Sequence, residues 1–279
     1  MKQLRPFNIN ILLFTVVCFL ITQGLGILGA QRAYQFAGSQ MTEIAQRSGF
    51  EFWQMIIIFF VGTLIFLSFL KMSRGKIFFD ILFSFAVFFG VWLIVEVFLP
   101  KDVAILIAAT VIFVRYFYPT PFTQNLAIIL GIAGLSVGIG LVLSVKEVLI
   151  ILVLLSFYDI IAVFVTKHMV KMFRGLLERG VIMALMIPFD VKDLFLKFKK
   201  IKPKDKFMFL GTGDLALPTV FIVAILPYGW LPTIGAVIGS LVGLYITQTI
   251  FLTGRKRPIP ALPPIATGTI LGYLVGMVI

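Results

Sequence analysis

The chain has few of the side chains that enzymes most often use for catalysis. It contains one histidine and one cysteine in 279 residues. The single cysteine, Cys18, excludes an internal disulfide, and a single histidine excludes the His-Glu-x-x-His helix of zinc peptidases. That histidine, His168, follows an apolar run and is expected at a membrane boundary, too far from a buried serine to act as its base. The sequence therefore predicts no metal site and no cofactor.

Charge is also scarce. Only 13% of the residues are charged, whereas 60% are hydrophobic and 30 are phenylalanine. A soluble domain of this length has too little interior to bury so much apolar surface. The lipid bilayer must therefore be the solvent for most of the chain.

Long apolar runs indicate how the chain crosses the bilayer. A helix needs about 17–25 apolar residues to span it, and nine such runs occur. They cover Asn8–Gly29, Phe52–Leu70, Ile77–Leu99, Val103–Tyr118, Phe122–Leu143, Val148–Thr166, Phe207–Leu226, Leu231–Leu252 and Ile259–Ile279. We predict an all-α, polytopic membrane protein with nine transmembrane helices. One domain covers residues 1–279, with spans one to six in 1–166, a basic inner loop in 167–206 and spans seven to nine in 207–279.

Basic residues predict the orientation of these spans. When the N-terminus is placed inside, only four of the 24 Lys and Arg residues lie in outside segments, namely Arg32, Arg47, Lys101 and Lys146. This asymmetry predicts that the N-terminus is inside and the C-terminus outside. The net charge of +12 is then explained by inner loops that contact anionic lipid headgroups. Binding to nucleic acid is not predicted, because a basic footprint for that purpose lies on a soluble face.

The inner loop between spans six and seven has its own pattern. Lys167, Lys171, Arg174 and Glu178 recur at helical spacing, with apolar residues between them. This pattern predicts an amphipathic helix on the inner membrane surface. The tract 192–206 is rich in lysine, and charge repulsion predicts that it is solvated and mobile.

Two carboxyl groups lie inside apolar spans. Asp159 lies eight residues before Lys167, and Asp214 lies eight residues after Lys206. If both segments are helical, each carboxyl group lies about 12 Å from the inner boundary, so the two can face each other. An ionisable group at this depth is costly and is a functional hypothesis by default. Depth alone also fits a polar pair that fastens two helices, or a proton relay in a transporter.

Glycine and proline residues surround this pair in the sequence. Gly211 and Gly213 precede Asp214, where they remove side-chain bulk and weaken a helix. Four prolines occur in residues 258–264 and exclude a regular helix interior there. Each feature also has an ordinary explanation, since glycines can serve helix packing and a proline break is cheap at the start of a span.

Taken together, the motifs resemble those of one family. Tyr158-Asp159, Gly211-x-Gly213-Asp214 and Pro260-Ala261-Leu262 follow in this order on spans six, seven and nine. This order is similar to that of the presenilin and signal peptide peptidase family of intramembrane aspartyl proteases. The short loops most resemble those of a microbial, archaeal presenilin homologue. The resemblance implies that Asp159 and Asp214 are catalytic, and that the other motif residues complete the site and position the substrate.

The resemblance also implies an activity and partners. The expected reaction is hydrolysis of peptide bonds within transmembrane helices of single-span proteins, by an aspartate pair that activates water without a cofactor. Expected partners are those substrates and membrane lipids in the plasma membrane of a prokaryote, and a homo-oligomer stays open. A cation channel or proton-coupled transporter is the alternative, although carriers usually carry internal repeats and none is evident here. The N-inside orientation favours the presenilin branch, because signal peptide peptidases resemble presenilins turned over in the membrane.

The orientation generates a prediction about substrates. A hydrolytic site is chiral, so water, acid and base meet one face of a peptide that runs in one direction. An N-inside enzyme of this kind is expected to cleave spans whose N-terminus is outside, in the inner half of the span. The measurement is cleavage in proteoliposomes of one span presented in both orientations. Preference for the N-inside span would contradict the predicted topology or the choice of branch.

Overall fold

The computed structural model describes residues 9–47, 76–178, 182–198, 207–253 and 258–279. These residues form nine α-helices and one two-stranded sheet. The helices are α1 (Ile9–Arg47), α2 (Lys76–Glu96), α3 (Lys101–Phe117), α4 (Pro121–Val142), α5 (Val145–Ile160), α6 (His168–Glu178), α7 (Thr212–Ile225), α8 (Trp230–Thr253) and α9 (Leu262–Val278). The strands are β1 (Ala184–Pro188) and β2 (Phe207–Gly211).

Several of these helices are long and apolar enough to cross a membrane. In the described part of the chain there are five, at Asn10–Phe36, Ile77–Glu96, Pro121–Val142, Val145–Val165 and Trp230–Phe251. Two further apolar helices are shorter, at Thr212–Tyr228 and Leu262–Val278. These helices support an integral membrane protein, while the count of nine spans and their orientation stay predictions. The predicted span Phe52–Leu70 lies outside the described residues.

The prediction of an all-α chain is wrong at one place that matters for the site. Phe207–Gly211, which was expected to begin span seven as a helix, forms β2 and pairs antiparallel with β1, so that Ala184 lies opposite Gly211. All five residues of β1 and three of β2 are buried. A strand that is covered on both faces has a continuous apolar run, which periodicity does not distinguish from a helix. The predicted depth of Asp214, about 12 Å from the inner boundary, assumed a helix here and therefore does not hold.

The hairpin formed by β1 and β2 lies within the helical bundle and not on its surface. Its apolar side chains join one core cluster with α1, α4, α7, α8 and α9. Members of this cluster include Ile11, Phe19, Ile128, Leu185, Leu210, Leu215, Leu244 and Ile265. The sheet is therefore held in place by most of the bundle.

The inner loop is partly as predicted. Residues His168–Glu178 form α6, which confirms the helix. Its Phe173 ring contacts Phe209 of β2 at 5.4 Å between centroids. The expectation of a solvated tract from 192 onward is wrong at its start, because Val191–Phe195 forms a 3-10 helix with Leu194 buried. Residues 199–206 of that tract lie outside the described residues.

Glycines bring α8 and α9 into backbone contact. A Cβ added at Gly239 would collide with the carbonyl oxygen of Gly268, and one added at Gly268 would collide with that of Gly239. Gly235 and Gly272 are paired in the same way. The four-residue glycine repeats thus serve close packing of these helices, as their spacing indicates.

The contact predicts the effect of added side chains. Gly239→Ala should force α8 and α9 apart and lower the free energy of unfolding by about 1–3 kcal/mol, the usual cost of overpacking. Gly24→Ala is the matched control, since a Cβ there meets nothing within 4 Å. Thermal unfolding in detergent measures both variants. Equal melting temperatures for Gly239→Ala and the parent would contradict the backbone contact.

Candidate active site

Asp214 lies at the start of α7, where the chain leaves β2. Gly211 ends the strand and is the N-cap residue of the helix, with φ −61° and ψ 141°. Asp214 is the third helical residue, and its carboxyl group lies against the backbone of Gly211, with Oδ2 2.9 Å from the position that a Cβ on this glycine would take. The lack of a side chain at Gly211 thus leaves room for the carboxyl group of Asp214.

Pro218 loosens the same turn of α7. It is buried inside the helix and has no N–H. In a regular helix this N–H would donate to the carbonyl oxygen of Asp214, four residues earlier. The first turn of α7 therefore has one backbone hydrogen bond fewer than an ordinary helix.

Asp159 binds the N-terminus of α9. It lies near the end of α5 and is 7% exposed. Its Oδ2 accepts a hydrogen bond from the N–H of Leu262 at 3.3 Å. Leu262 is the first residue of α9, whose N-cap residue Ala261 provides no side-chain cap. Asp159 thus satisfies one of the N–H groups that every helix N-terminus leaves unpaired.

The helix that carries Asp159 changes its hydrogen-bonding pattern just after it. Residues Ile161–Val165 form a π-helix, and the N–H of Thr166 donates to the carbonyl oxygen of Ile161 at 2.9 Å. Such π turns within α-helices are rare and often occur at functional sites. This irregular segment directly follows α5 and indicates a functional site independently of the carboxyl group of Asp159.

The two aspartates interact. The charge of Asp159 acts on Asp214. A shared apolar cluster fixes the three helices that position them, with Leu152 from α5, Phe221 from α7 and Leu262 from α9 among its buried members. The structure therefore brings Asp159, Asp214, Gly211 and Leu262 into one site.

The remaining motif residues differ in their surroundings. Pro260 is buried and Ala261 is half-buried. They are followed directly by Leu262, whose N–H donates to Asp159. Gly213 is exposed, and a Cβ added to it meets nothing within 4 Å. Tyr158 is 55% exposed. Space is therefore open beside Asp214 on the Gly213 side.

The outer edge of β2 leads directly to Asp214. The N–H and C=O of Met186 in β1 are bound by the side chain of Asn125 and so point away from β2. Peptide groups alternate along antiparallel strands, so those of Phe209, opposite Met186, point outward from β2. The same alternation turns the Gly211 N–H outward, and the carboxyl group of Asp214 lies beside this glycine. Among the described residues no strand pairs with this edge.

Sequence analysis missed this edge and the residues behind it. The hairpin was hidden by its continuous apolar runs. Gln124 and Asn125 are buried at the start of α4, in a span that was treated as uniformly apolar. The sequence did contain an indication of their role, because two adjacent amides in an apolar span are costly to bury unless each finds hydrogen-bond partners.

Comparisons with known proteins agree on one family. The chain matches the family model described as signal-peptide peptidase, presenilin aspartyl protease over residues 16–279. It is similar to a presenilin family intramembrane aspartate protease solved in space group C222, with 26% identity, a TM-score of 0.64, and coverage of 95% of this chain and 98% of that one. A structure in space group P2 gives 24% identity, a TM-score of 0.61, and coverage of 94% and 95%. No curated protein sequence gives a significant match.

The surroundings of the two motif glycines predict different effects of the same substitution. A Cβ on Gly211 would lie 2.9 Å from Oδ2 of Asp214, so Gly211→Ala should displace the carboxyl group and lower kcat. Gly213→Ala meets only open space, so it should leave the fold intact and act on KM where substrate enters that space. Steady-state kinetics and thermal unfolding of both variants provide the measurement. A normal kcat for Gly211→Ala would contradict the contact with Asp214.

Proposed function

Because the chain belongs to the family of signal-peptide peptidases and presenilin aspartyl proteases, we propose that it hydrolyses peptide bonds within the transmembrane helices of single-span proteins, with Asp159 and Asp214 as the catalytic pair. It is an intramembrane aspartic protease. The membership favours proteolysis over a cation channel or a proton-coupled carrier.

The observation that carries the proposal is the way each carboxyl group is held. Asp159 accepts the N–H of Leu262, and Asp214 lies against Gly211, where an added Cβ would meet its Oδ2. The hydrogen bond to Asp159 leaves oxygen lone pairs for water and for a proton. Two carboxyl groups on separate helices, close enough for their charges to interact, are the groups that acid and base catalysis needs.

The proposed mechanism divides one proton between the two groups. Like charges this close cannot both form at low cost, so the pair holds one proton, which belongs to the pair and not to either residue. The ionised carboxylate accepts a proton from water as the water oxygen attacks the scissile carbonyl carbon. The protonated carboxyl group donates to the carbonyl oxygen, and a gem-diol forms. Proton transfer to the amide nitrogen then lets the C–N bond break.

The outer edge of β2 supports a binding mode for the substrate. A transmembrane helix must unwind before its carbonyl can be attacked, and its freed N–H and C=O groups then need partners in the membrane. Strand addition to the peptide groups of Phe209 would satisfy them. Because β2 continues into Gly211 and Asp214, a paired segment would deliver its next residues to the catalytic pair. The open side of Gly213 and the exposed ring of Tyr158 would border that segment.

The proposal includes a cellular setting. We propose nine transmembrane helices with the N-terminus inside, and the plasma membrane of a prokaryote as the location. Its partners there would be single-span proteins and the surrounding lipids. The basic residues of the inner loops support this orientation.

Isosteric replacement of either aspartate tests the catalytic pair. Asp159→Asn and Asp214→Asn should each lower the cleavage rate by at least about 10²–10⁴-fold, the usual contribution of a general acid or base. Folding should be preserved, because asparagine has the size of aspartate and at position 159 its oxygen can still accept the Leu262 N–H. The measurement is the appearance of two fragments from a single-span substrate in proteoliposomes, together with thermal unfolding of each variant.

Asp102→Asn provides a control for the same chemical change. Asp102 is exposed in the first turn of α3, and its replacement should leave cleavage at the parental rate. Cleavage at that rate by Asp159→Asn or Asp214→Asn would overturn the assignment. Ion flux into liposomes, lost in both aspartate variants and without any peptide cleavage, would instead support the transport alternative.

A further inference from the structure

Two adjacent amide side chains at the start of α4 bind the backbone of the segment that forms β1. Asn125 is 3% exposed and Gln124 is 1% exposed. The Asn125 Oδ1 accepts from the N–H of Met186 at 2.8 Å, and its Nδ2 donates to the C=O of Met186 at 2.7 Å. The Gln124 Nε2 donates to the C=O of Ile182 at 2.6 Å. Both amides thus hold main-chain groups of one segment, four residues apart.

Asn125 acts on β1 as a neighbouring strand would. A side-chain amide offers one donor and one acceptor in the arrangement of a peptide group, and here both are used by a single residue of β1. This occupies the edge of β1 at Met186. Among the described strands, the outer edge of β2, which leads to Asp214, is then the one available to an added strand.

Gln124 is itself oriented by a third polar residue. The Nε of Arg115 in α3 donates to the Gln124 Oε1 at 2.7 Å, which leaves the Gln124 amide nitrogen to face Ile182. Arg115 also donates to Ser84 Oγ at 3.3 Å and lies 4.5 Å from the centroid of the Phe83 ring, both in α2. These contacts fix the position of β1, along the direction of the strand, relative to α2, α3 and α4.

This position is transmitted to the catalytic pair through the sheet. Ala184 of β1 pairs with Gly211, which lies against the carboxyl group of Asp214. A slip of one residue would turn every side chain of the hairpin to the opposite face. A slip of two would keep the faces but move the paired backbone by about 7 Å, which corresponds to two peptide bonds of a substrate strand.

We propose that Asn125 and Gln124 are positioning residues that fix the register of the hairpin and so determine which peptide bond of the substrate meets the aspartates. This inference rests on the proposed pairing of substrate with β2. Neither residue touches the reacting atoms. Their effect is on cut-site choice, which a merely structural hydrogen bond would not control.

The test compares cut sites in variants of the full chain. Asn125→Leu keeps the size of the side chain and removes both hydrogen bonds. Asn125→Asp keeps an acceptor for the Met186 N–H and removes the donor, and Gln124→Met removes the bond to Ile182. Each variant is placed in proteoliposomes with one single-span substrate. Mass spectrometry of both fragments gives the fraction of cleavage at each bond, and kinetics give kcat and KM.

Ser240→Ala is the matched control for the loss of a buried hydrogen bond. Ser240 in α8 binds Gln23 in α1 through bonds of 2.9 and 3.3 Å and is fully buried. Neither Gln23 nor Ser240 belongs to the hairpin or the site. Its replacement should lower stability while the relative use of each cleavage site stays as in the parent.

The expected result is a changed cut-site pattern. In Asn125→Leu the main cut should spread to neighbouring bonds or move by two residues, with kcat lower by about 10- to 100-fold, as expected for misplacement of reacting groups by about 1 Å or more. Asn125→Asp and Gln124→Met should show the same pattern more weakly, and they decide the matter if Asn125→Leu does not fold.

The opposite result separates the two proposals. Cleavage at the parental bonds in parental proportions, in the variants that fold, would overturn the register role. That outcome would leave the catalytic pair intact, provided that Asp159→Asn and Asp214→Asn remain inactive. Cleavage by those aspartate variants would instead overturn the proposed function.

Discussion

Main-chain N–H and C=O groups that leave a regular helix inside a membrane must find another partner, and this requirement organises the site. Some of the main-chain N–H and C=O groups of the hairpin are paired between β1 and β2. The first N–H of α9 is satisfied by Asp159. This carboxyl group is therefore part of the backbone hydrogen bonding of the fold as well as a candidate for catalysis.

The same requirement explains which features could be predicted from the sequence. Asp159 and Asp214 stand out because ionisable groups are rare and costly in apolar spans. The glycine and proline motifs stand out because they break helices. Their meeting in space was predicted from the order of the spans and from a family resemblance, and in the structure Asp159 contacts Leu262 of the proline motif. Residue types that conflict with their surroundings were thus informative even without a structure.

The hairpin was not predictable by the same reasoning. Both faces of β1 are covered, so Ala184–Pro188 shows no alternation of polar and apolar residues. The pairing of Asn125 with Met186 joins residues 61 positions apart, and no local pattern reports such a contact. Pro188 does not decide between a helix and a strand, since proline is tolerated in a strand where its missing N–H is not needed. Here it lies opposite Phe207, at a position of the ladder that does not require that donor.

The outer edge of β2, with which no described strand pairs, also bears on how a substrate paired there would be distinguished. Its groups are peptide N–H and C=O, which offer the same hydrogen bonds to every amino-acid sequence. Recognition through such an edge carries little information about side chains. Discrimination then falls on a property of the substrate itself, the free energy needed to unravel its helix near the cut, which glycine and proline lower. If substrates pair with this edge as proposed, the enzyme selects them by the conformational stability of their helices, and unrelated sequences with equally weak helices would be equivalent substrates.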